Sequence, residues 1–142
     1  MRQQKRWRYY CDFCKKVGGQ RHAMEKHEKA CTANPERVCG LCQHCGEDQP
    51  KLTTLTGFID SYCADLPRVK FEWDDEEHLE ASGDKLDPML KELEALANHC
   101  PACTLAALRQ AKTKTWSNFN FKAKLDAWWE EENANREPEH YY

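Results

Sequence analysis

Apolar side chains recur at helical spacing over residues 87–97. The segment opens with Asp87 and Pro88, which are typical of a helix N-cap and of the first helical position. The apolar positions that follow are Met89, Leu90, Leu93, Leu96 and Ala97. Residues three and four positions apart share one face of a helix, so the pattern predicts an amphipathic helix whose apolar face packs inward.

A second helical run is predicted directly after this one. Pro101 requires the backbone to turn near Cys100, because proline cannot continue a helix that precedes it. Apolar residues then recur at Leu105, Leu108 and Ala111. The turn therefore separates two helices and places Cys100 at the start of the second one.

The last predicted helix starts near Asn118 or Asn120, in a segment of residues 113–142 that is expected to pack on the body. One face of this helix carries four apolar side chains, Phe121, Leu125, Trp128 and Trp129. Such a face usually packs on a core, and the alternative is a docking surface for a partner protein. The tail from Glu130 is acidic and is expected to fray.

A short connector, residues 32–38, divides the rest of the chain. It is polar and too short to act as a long tether, so the units on its two sides are expected to touch. Residues 1–31 form the first unit. The second unit spans residues 39–112 and has cysteines at its two ends, with an irregular middle that runs through Pro50, Gly57 and Pro67.

Cysteine is the most informative feature of the composition, with nine cysteines in 142 residues. The N-terminus has no apolar run typical of a secretory signal, and no stretch is apolar enough to span a membrane. The chain is therefore expected to be intracellular, in a cytoplasm, including that of a host cell, or in a eukaryotic nucleus. In a reducing compartment, an odd cysteine count with several Cys-x2-Cys pairs favours zinc ligation over disulfides.

Four residues near the N-terminus have the spacing of a zinc site. Cys11 and Cys14 are separated by two residues, and His27 and Cys31 by three, with twelve residues between the pairs. The first pair is typical of a hairpin turn, and the second pair would project both ligands from one helix face. With this spacing, residues 7–31 resemble the ββα zinc-finger family in its Cys-Cys-His-Cys variant.

The resemblance extends to part of the small core of such a finger. Tyr9 and Met24 stand where the family has supporting apolar residues. The family's aromatic residue between the second cysteine and the helix is missing, and Val17 lies near its place. His22 is expected on the outer face of the helix, because it could replace His27 only by giving up the one-turn spacing to the last cysteine.

Charge and resemblance together suggest a nucleic-acid partner for this unit. Residues 1–31 carry nine lysines and arginines against three acidic residues, a net charge of +6. The resemblance implies that bases would be read by Gln20, His22, Ala23 and Lys26. A basic arm with an interleaved tryptophan would add phosphate contacts and stacking, and it consists of Arg2, Lys5, Arg6, Trp7 and Arg8. Trp7 and Tyr9 could instead close the core of the finger.

Two more Cys-x2-Cys pairs supply a second candidate zinc site. They are Cys39 with Cys42 and Cys100 with Cys103. Together they resemble the treble-clef and zinc-ribbon arrangement, in which a knuckle and a helix N-terminus share one ion. Cys42 and Cys45 form an alternative knuckle that is followed by a glycine, so Cys45 is the alternative to Cys39. The ion would join the two ends of the second unit.

Catalysis is not expected. Cys-Pro-Ala-Cys at residues 100–103 is typical of a redox-active dithiol, but the surrounding strand and helix pattern of such proteins is missing. No oxyanion or substrate-binding motif accompanies a cysteine and histidine pair, and the familiar hydrolase and deaminase zinc signatures are absent. Cys63 is expected to be a small buried residue, with His44 and His99 as bystanders.

The sequence therefore predicts a small α-rich α+β zinc-binding protein, in which an N-terminal ββα-like finger sits on a helical body pinned by a second zinc ion. The leading hypothesis is nucleic-acid binding, with a regulatory role as one option. The alternative is a protein-binding adaptor or inhibitor that uses the last helix and residues 72–94, a segment with ten acidic residues and only two lysines. The compact, cysteine-rich layout is similar to small bacteriophage zinc proteins, which implies a host enzyme or defence complex as target. No membrane or small-molecule partner is predicted.

Overall fold

The computed structural model describes residues 1–135, and about half of the chain is helical with two antiparallel strand pairs. The elements in chain order are β1 (Tyr9–Tyr10), β2 (Val17–Gly18), α1 (Arg21–Ala30), α2 (Gly40–Cys45), α3 (Leu52–Ala64), β3 (Arg68–Lys70), β4 (Glu77–Leu79), a 3-10 turn (Asp84–Leu86), α4 (Asp87–Leu96), α5 (Pro101–Gln110) and α6 (Phe121–Asn135). Among the described residues, no helix is long and apolar enough to cross a membrane.

The N-terminal unit is a two-stranded hairpin with one helix. β1 and β2 pair antiparallel, with Tyr9 opposite Gly18 and Tyr10 opposite Val17, and α1 packs against this hairpin. The core beneath it is very small: among the described residues, it contains Met24 and two cysteines as buried side chains, with Tyr9 half-buried against them. Such a core is too small to hold the unit together without a staple.

The body has a conventional hydrophobic core between α3, α4 and α5. Its fully buried side chains include Leu55, Ile59, Leu86, Met89 and Leu93. The expectation of an irregular middle for residues 39–112 is wrong, because this stretch contains the thirteen-residue helix α3 and the β3–β4 hairpin. α3 is a helix because one side of it is buried on α4 and α5, a tertiary contact that outweighs the weak helix propensity of its threonines and glycine.

The start of α4 differs from the sequence expectation. The 3-10 turn over residues 84–86 runs directly into the helix, so Leu86 occupies the N-cap position and Asp87 is already helical, with no side-chain capping hydrogen bond. The inward face is confirmed, since Met89, Leu90 and Leu93 are buried. Leu96 is the exception within the stripe, because it is 45% exposed, whereas Ala97 at its end is fully buried.

The predicted turn near Cys100 is confirmed, and two residues in the left-handed region make it. Asn98 and His99 have φ values of 54° and 59°. The N–H of His99 donates to the carbonyl of Glu94 at 2.8 Å, and the N–H of Asn98 donates to that of Ala95 at 3.2 Å. This is the Schellman pattern of hydrogen bonds that ends a helix, and it redirects the chain so that Cys100 caps the next helix, α5.

The last helix, α6, packs on the outside of α5 and contributes no fully buried side chain. Phe121, Leu125 and Trp128 are half-buried, whereas Trp129 is exposed. The predicted apolar face therefore covers the body without forming its core. Fraying from Glu130 is contradicted as far as Asn135, where the helix ends, and the remainder of the acidic tail lies outside the described residues.

The connector is fixed to the body by hydrogen bonds. The side-chain amide of Gln110 donates to the carbonyls of Thr32 at 2.7 Å and Asn34 at 3.0 Å, and Arg109 donates to the hydroxyl of Thr32 at 2.7 Å. Because three bonds from α5 hold a segment of seven residues, the N-terminal unit is held against the body.

Candidate metal centres

The first cluster brings together the four residues that the spacing singles out. Their ligand atoms all lie within 4.8 Å of one another, and the set is Cys11, Cys14, His27 and Cys31. Cys14 Sγ lies 3.2 Å from His27 Nε2. Two thiols from the hairpin thus meet one imidazole from the last turn of α1 and a thiol that follows it. Distances of this order allow one tetrahedral zinc ion to bind between the four atoms.

Backbone N–H groups donate hydrogen bonds to the sulfur atoms of the two hairpin cysteines. The N–H of Phe13 donates to Cys11 Sγ and the N–H of Lys16 donates to Cys14 Sγ, each at 3.5 Å. The bond from Lys16 lowers the pKa of Cys14 to about 6. Because the thiolate is the form that binds metal, this turn stabilises the ligand before the ion arrives.

The helical pair differs in one respect from the expectation. His27 lies in the last turn of α1, but Cys31 is the first residue after the helix, with φ of −56° and ψ of 130°. Its thiol therefore reaches the cluster because the chain leaves the helix there, and the two ligands do not share one regular helix face. Burial raises the pKa of Cys31. His22 lies exposed on the outer face of α1, as expected.

The second cluster is buried and contains only cysteines. Its ligand atoms also lie within 4.8 Å of one another, and the set is Cys39, Cys42, Cys100 and Cys103. Within the cluster, Cys39 Sγ lies 3.5 Å from Cys100 Sγ, and Cys42 Sγ lies 3.7 Å from Cys103 Sγ. Cys39 caps α2 and Cys100 caps α5, so two helix N-termini are directed at the cluster and favour negative charge there.

The four thiols cannot all ionise without a cation. Hydrogen bonds from Cys100 and Cys103 lower the pKa of Cys39. Burial, together with the charge of the neighbouring thiolates, raises the pKa of Cys42 to about 12, and the contact with Cys100 raises that of Cys103. A divalent cation at the centre of the cluster would offset the repulsion between the thiolates and so lower the pKa values of all four thiols. Metal binding and deprotonation are linked in this way in cysteine sites generally.

A buried arginine lies beside this cluster. Arg37 is only 6% exposed, and its Nη1 lies 3.7 Å from Cys103 Sγ, while its Nε donates to the carbonyl of Ala30 at 3.4 Å. Among the described residues it makes no ion pair with a carboxylate. A buried guanidinium needs a counter-charge, and cysteine thiolates are the available anions. Arg37 therefore supports an anionic, metal-bound cluster independently of cysteine spacing.

The sequence gives no signal for the role of Arg37. It stands in the polar connector among other charged residues, and its contact with Cys103 joins positions 66 residues apart. The sequence also gives no signal for a second contact of the connector. The side chain of Gln49 donates to the carbonyl of Arg37 at 3.0 Å and accepts the N–H of Cys39, which fixes the chain as it enters the cluster.

Cys45 lies outside the cluster, at the C-terminal end of α2. Its Sγ donates to a carboxylate oxygen of Glu132 at 3.4 Å, and burial followed by this carboxylate raises its pKa to about 11. The following residue, Gly46, has φ of 69°, and the N–H of Glu47 donates to the carbonyl of Cys42 at 3.0 Å. The Cys-Gly step is therefore a Schellman helix end and not a metal knuckle.

The remaining cysteine and histidines have other surroundings. Cys63 is fully buried in the body core, with Sγ 3.9 Å from the sulfur of Met89. His44 packs edge-to-face on Trp128 and Trp129 of α6. His99 belongs to the left-handed turn before α5.

The residues proposed for nucleic-acid contact are all exposed: Arg2, Lys5, Arg6, Trp7, Arg8, Gln20, His22, Ala23 and Lys26. Arg6, Trp7 and Arg8 line a groove of about 260 Å³ with residues 17–19 of the hairpin. Trp7 is 83% exposed, so it does not close the core of the finger, whereas Tyr9 does contact that core.

No protein-family model, curated protein or solved structure matches this chain. Metal binding is supported by the geometry and chemistry of the two clusters themselves.

Proposed function

We propose that this chain is a non-catalytic zinc protein that binds nucleic acid through its N-terminal finger. Each cluster offers four cysteine or histidine ligands to one ion. Four protein ligands fill a tetrahedral zinc site and leave no open position for a substrate or an activated water, as is typical of structural sites. The zinc ions would then supply stability, above all to the N-terminal unit, whose core is small.

Exposed basic and aromatic side chains on the finger support nucleic-acid binding. Arg6 and Arg8 flank Trp7 along the groove beside the hairpin, and the indole is open to solvent. Guanidinium groups bind phosphates, and an exposed indole stacks on a base of any identity. Because a single finger has a small footprint, we expect the basic arm to supply much of the affinity and to favour flexible or single-stranded nucleic acid.

Fluorescence anisotropy of the zinc-loaded chain with labelled single-stranded and duplex oligonucleotides tests this proposal. Replacing Arg6 and Arg8 together by alanine should weaken binding by about tenfold at low salt. It should also make the plot of log affinity against log salt concentration less steep, by about 1.5 in slope. The reason is that a chain with two fewer phosphate contacts releases fewer counterions when it binds. The Trp7→Ala variant should weaken single-strand binding without changing that slope.

The matched control replaces Lys114 and Lys122 by alanine. Both lysines are exposed and lie outside the finger, so this variant loses the same charge from another surface. It should bind nearly as well as the unaltered chain. Absence of binding at low salt, or an equal loss in the control, would contradict the proposed role of the finger.

A protein-binding adaptor or inhibitor is the second candidate function. The acidic segment of residues 72–94 favours it. In α6, by contrast, Trp128 and Trp129 already contact His44, so this helix offers less free surface than its sequence suggests. Changing Asp75, Glu76 and Glu77 to lysine distinguishes the two candidates. An adaptor should lose its partner in a pull-down, whereas oligonucleotide binding should persist.

A further inference from the structure

A row of four aromatic rings lies on the side of the body formed by the β3–β4 hairpin. Trp73 stacks on Phe71, with ring centroids 5.0 Å apart and an interplanar angle of 10°. Phe71 contacts His78 at 6.1 Å, and His78 stacks on Trp116 at 5.3 Å. Trp73 and Trp116 are 84% and 57% exposed. A contiguous exposed aromatic surface of this kind usually marks an interaction site.

Hydrogen bonds hold the ring of His78 and the backbone at Trp116 in place. The ring of His78 bonds to the carboxylate of Asp74, and the other oxygen of that carboxylate accepts the N–H of Glu76 at 3.1 Å. The carbonyl of Trp116 accepts the N–H of Gly83 at 2.7 Å, and Gly83 has φ of 57°, which favours glycine. Rings that are already ordered lose little conformational freedom when a ligand binds.

The charge around the row is mainly negative. Residues 71–80 contain six acidic residues and no lysine or arginine. Asp74 is bound to His78, and the other five acidic side chains are exposed and make no ion pair among the described residues: Glu72, Asp75, Glu76, Glu77 and Glu80. Lys70 lies opposite Glu77 in the hairpin without forming an ion pair with it. The surface therefore attracts cations and repels nucleic acid.

We propose that this aromatic and acidic surface binds a lysine- or arginine-rich segment of a partner protein. Ammonium and guanidinium groups bind over the faces of indole rings, and nearby carboxylates add a charge-assisted contact that an apolar ligand could not use. The inference goes beyond nucleic-acid binding, because the finger has the opposite charge. A chain with both surfaces would hold a nucleic acid and a basic protein together.

The test uses the zinc-loaded full chain and a labelled peptide of alternating lysine and arginine, with an uncharged peptide of alternating glycine and serine of equal length for comparison. Fluorescence anisotropy should show binding of the cationic peptide and no binding of the comparison peptide. Trp73→Ala and Trp116→Ala should each weaken it about two- to fivefold, the range expected for exposed cation–π contacts. Because the two tryptophans lie on separate segments, a local folding defect in one variant would not explain a loss in both. Trp7→Ala is the matched control and should bind the peptide as the unaltered chain does.

A charge-reversal pair separates a defined site from a general field effect. Asp75→Lys with Glu76→Lys should remove peptide binding, whereas Asp126→Lys with Glu130→Lys, an exposed pair on α6, should leave most of it. Three results would each overturn the proposal: no binding of the cationic peptide, no effect of either tryptophan variant, or equal losses from the two charge-reversal pairs.

Discussion

The guanidinium of Arg37 contacts two residues: its Nη1 lies 3.7 Å from Cys103 Sγ, and its Nε donates to the carbonyl of Ala30 at 3.4 Å. One buried side chain therefore joins the four-cysteine cluster to the end of α1. A four-cysteine zinc site carries a net charge of about −2 when all thiols are ionised. Arg37 offsets part of this charge inside the protein. We therefore expect it to contribute to zinc affinity at the second site and to the attachment of the finger.

Replacing Arg37 by methionine should weaken zinc binding at the second cluster by about 10- to 100-fold, the range found for residues that support metal ligands from outside the coordination shell. Competition with a chromophoric chelator measures the effect. Arg109→Met is the control, because Arg109 also bonds to the connector, at Thr32, but not to a cysteine. Unchanged zinc affinity in Arg37→Met, or an equal fall in both variants, would argue against charge compensation.

Removing zinc should affect the two units unequally. The finger has one buried apolar side chain besides its cysteines, whereas the body has a core of several leucines and isoleucine. Chelation should therefore abolish hydrogen-exchange protection in α1, while part of the protection in α3 persists. Circular dichroism should show a corresponding loss of helix that returned zinc restores. Full protection of α1 in the chelated chain would show that the finger does not depend on metal.

Truncation of Ile59 tests the place of α3 in the core. This side chain is fully buried, so Ile59→Ala should lower the free energy of unfolding of the zinc-loaded chain by about 2–5 kcal/mol. Leu96→Ala removes an apolar side chain of similar size from an exposed position and should cost less than about 1 kcal/mol. Denaturant titration followed by circular dichroism compares them. Equal effects would contradict a core built on α3.

The features that the sequence predicts are mainly local ones. A Cys-x2-Cys turn determines the relative position of its two thiols within a few residues, and α4 shows its buried face in its own periodicity. The left-handed turn at residues 98–99 is also local, and Pro101 indicates where it ends. For these reasons the ligand pairs and the helices α4, α5 and α6 could be placed approximately without a structure.

The features that the sequence does not predict depend on distant contacts. α3 has apolar residues at Leu52, Leu55 and Ile59, at helical spacing, but Thr53, Thr54, Thr56 and Gly57 reduce its intrinsic helix propensity. Its stability comes from packing on α5. The aromatic row likewise requires Trp116 to lie beside a hairpin about forty residues earlier, which periodicity cannot indicate.

Native mass spectrometry of the purified chain tests the central claim most directly, because it counts zinc ions. We predict two zinc ions in the unaltered chain, one in Cys39→Ser and two in Cys45→Ser, since Cys39 belongs to the second cluster and Cys45 is bonded to Glu132. One or no zinc ion in the unaltered chain, or loss of an ion in Cys45→Ser with retention of both in Cys39→Ser, would contradict the account.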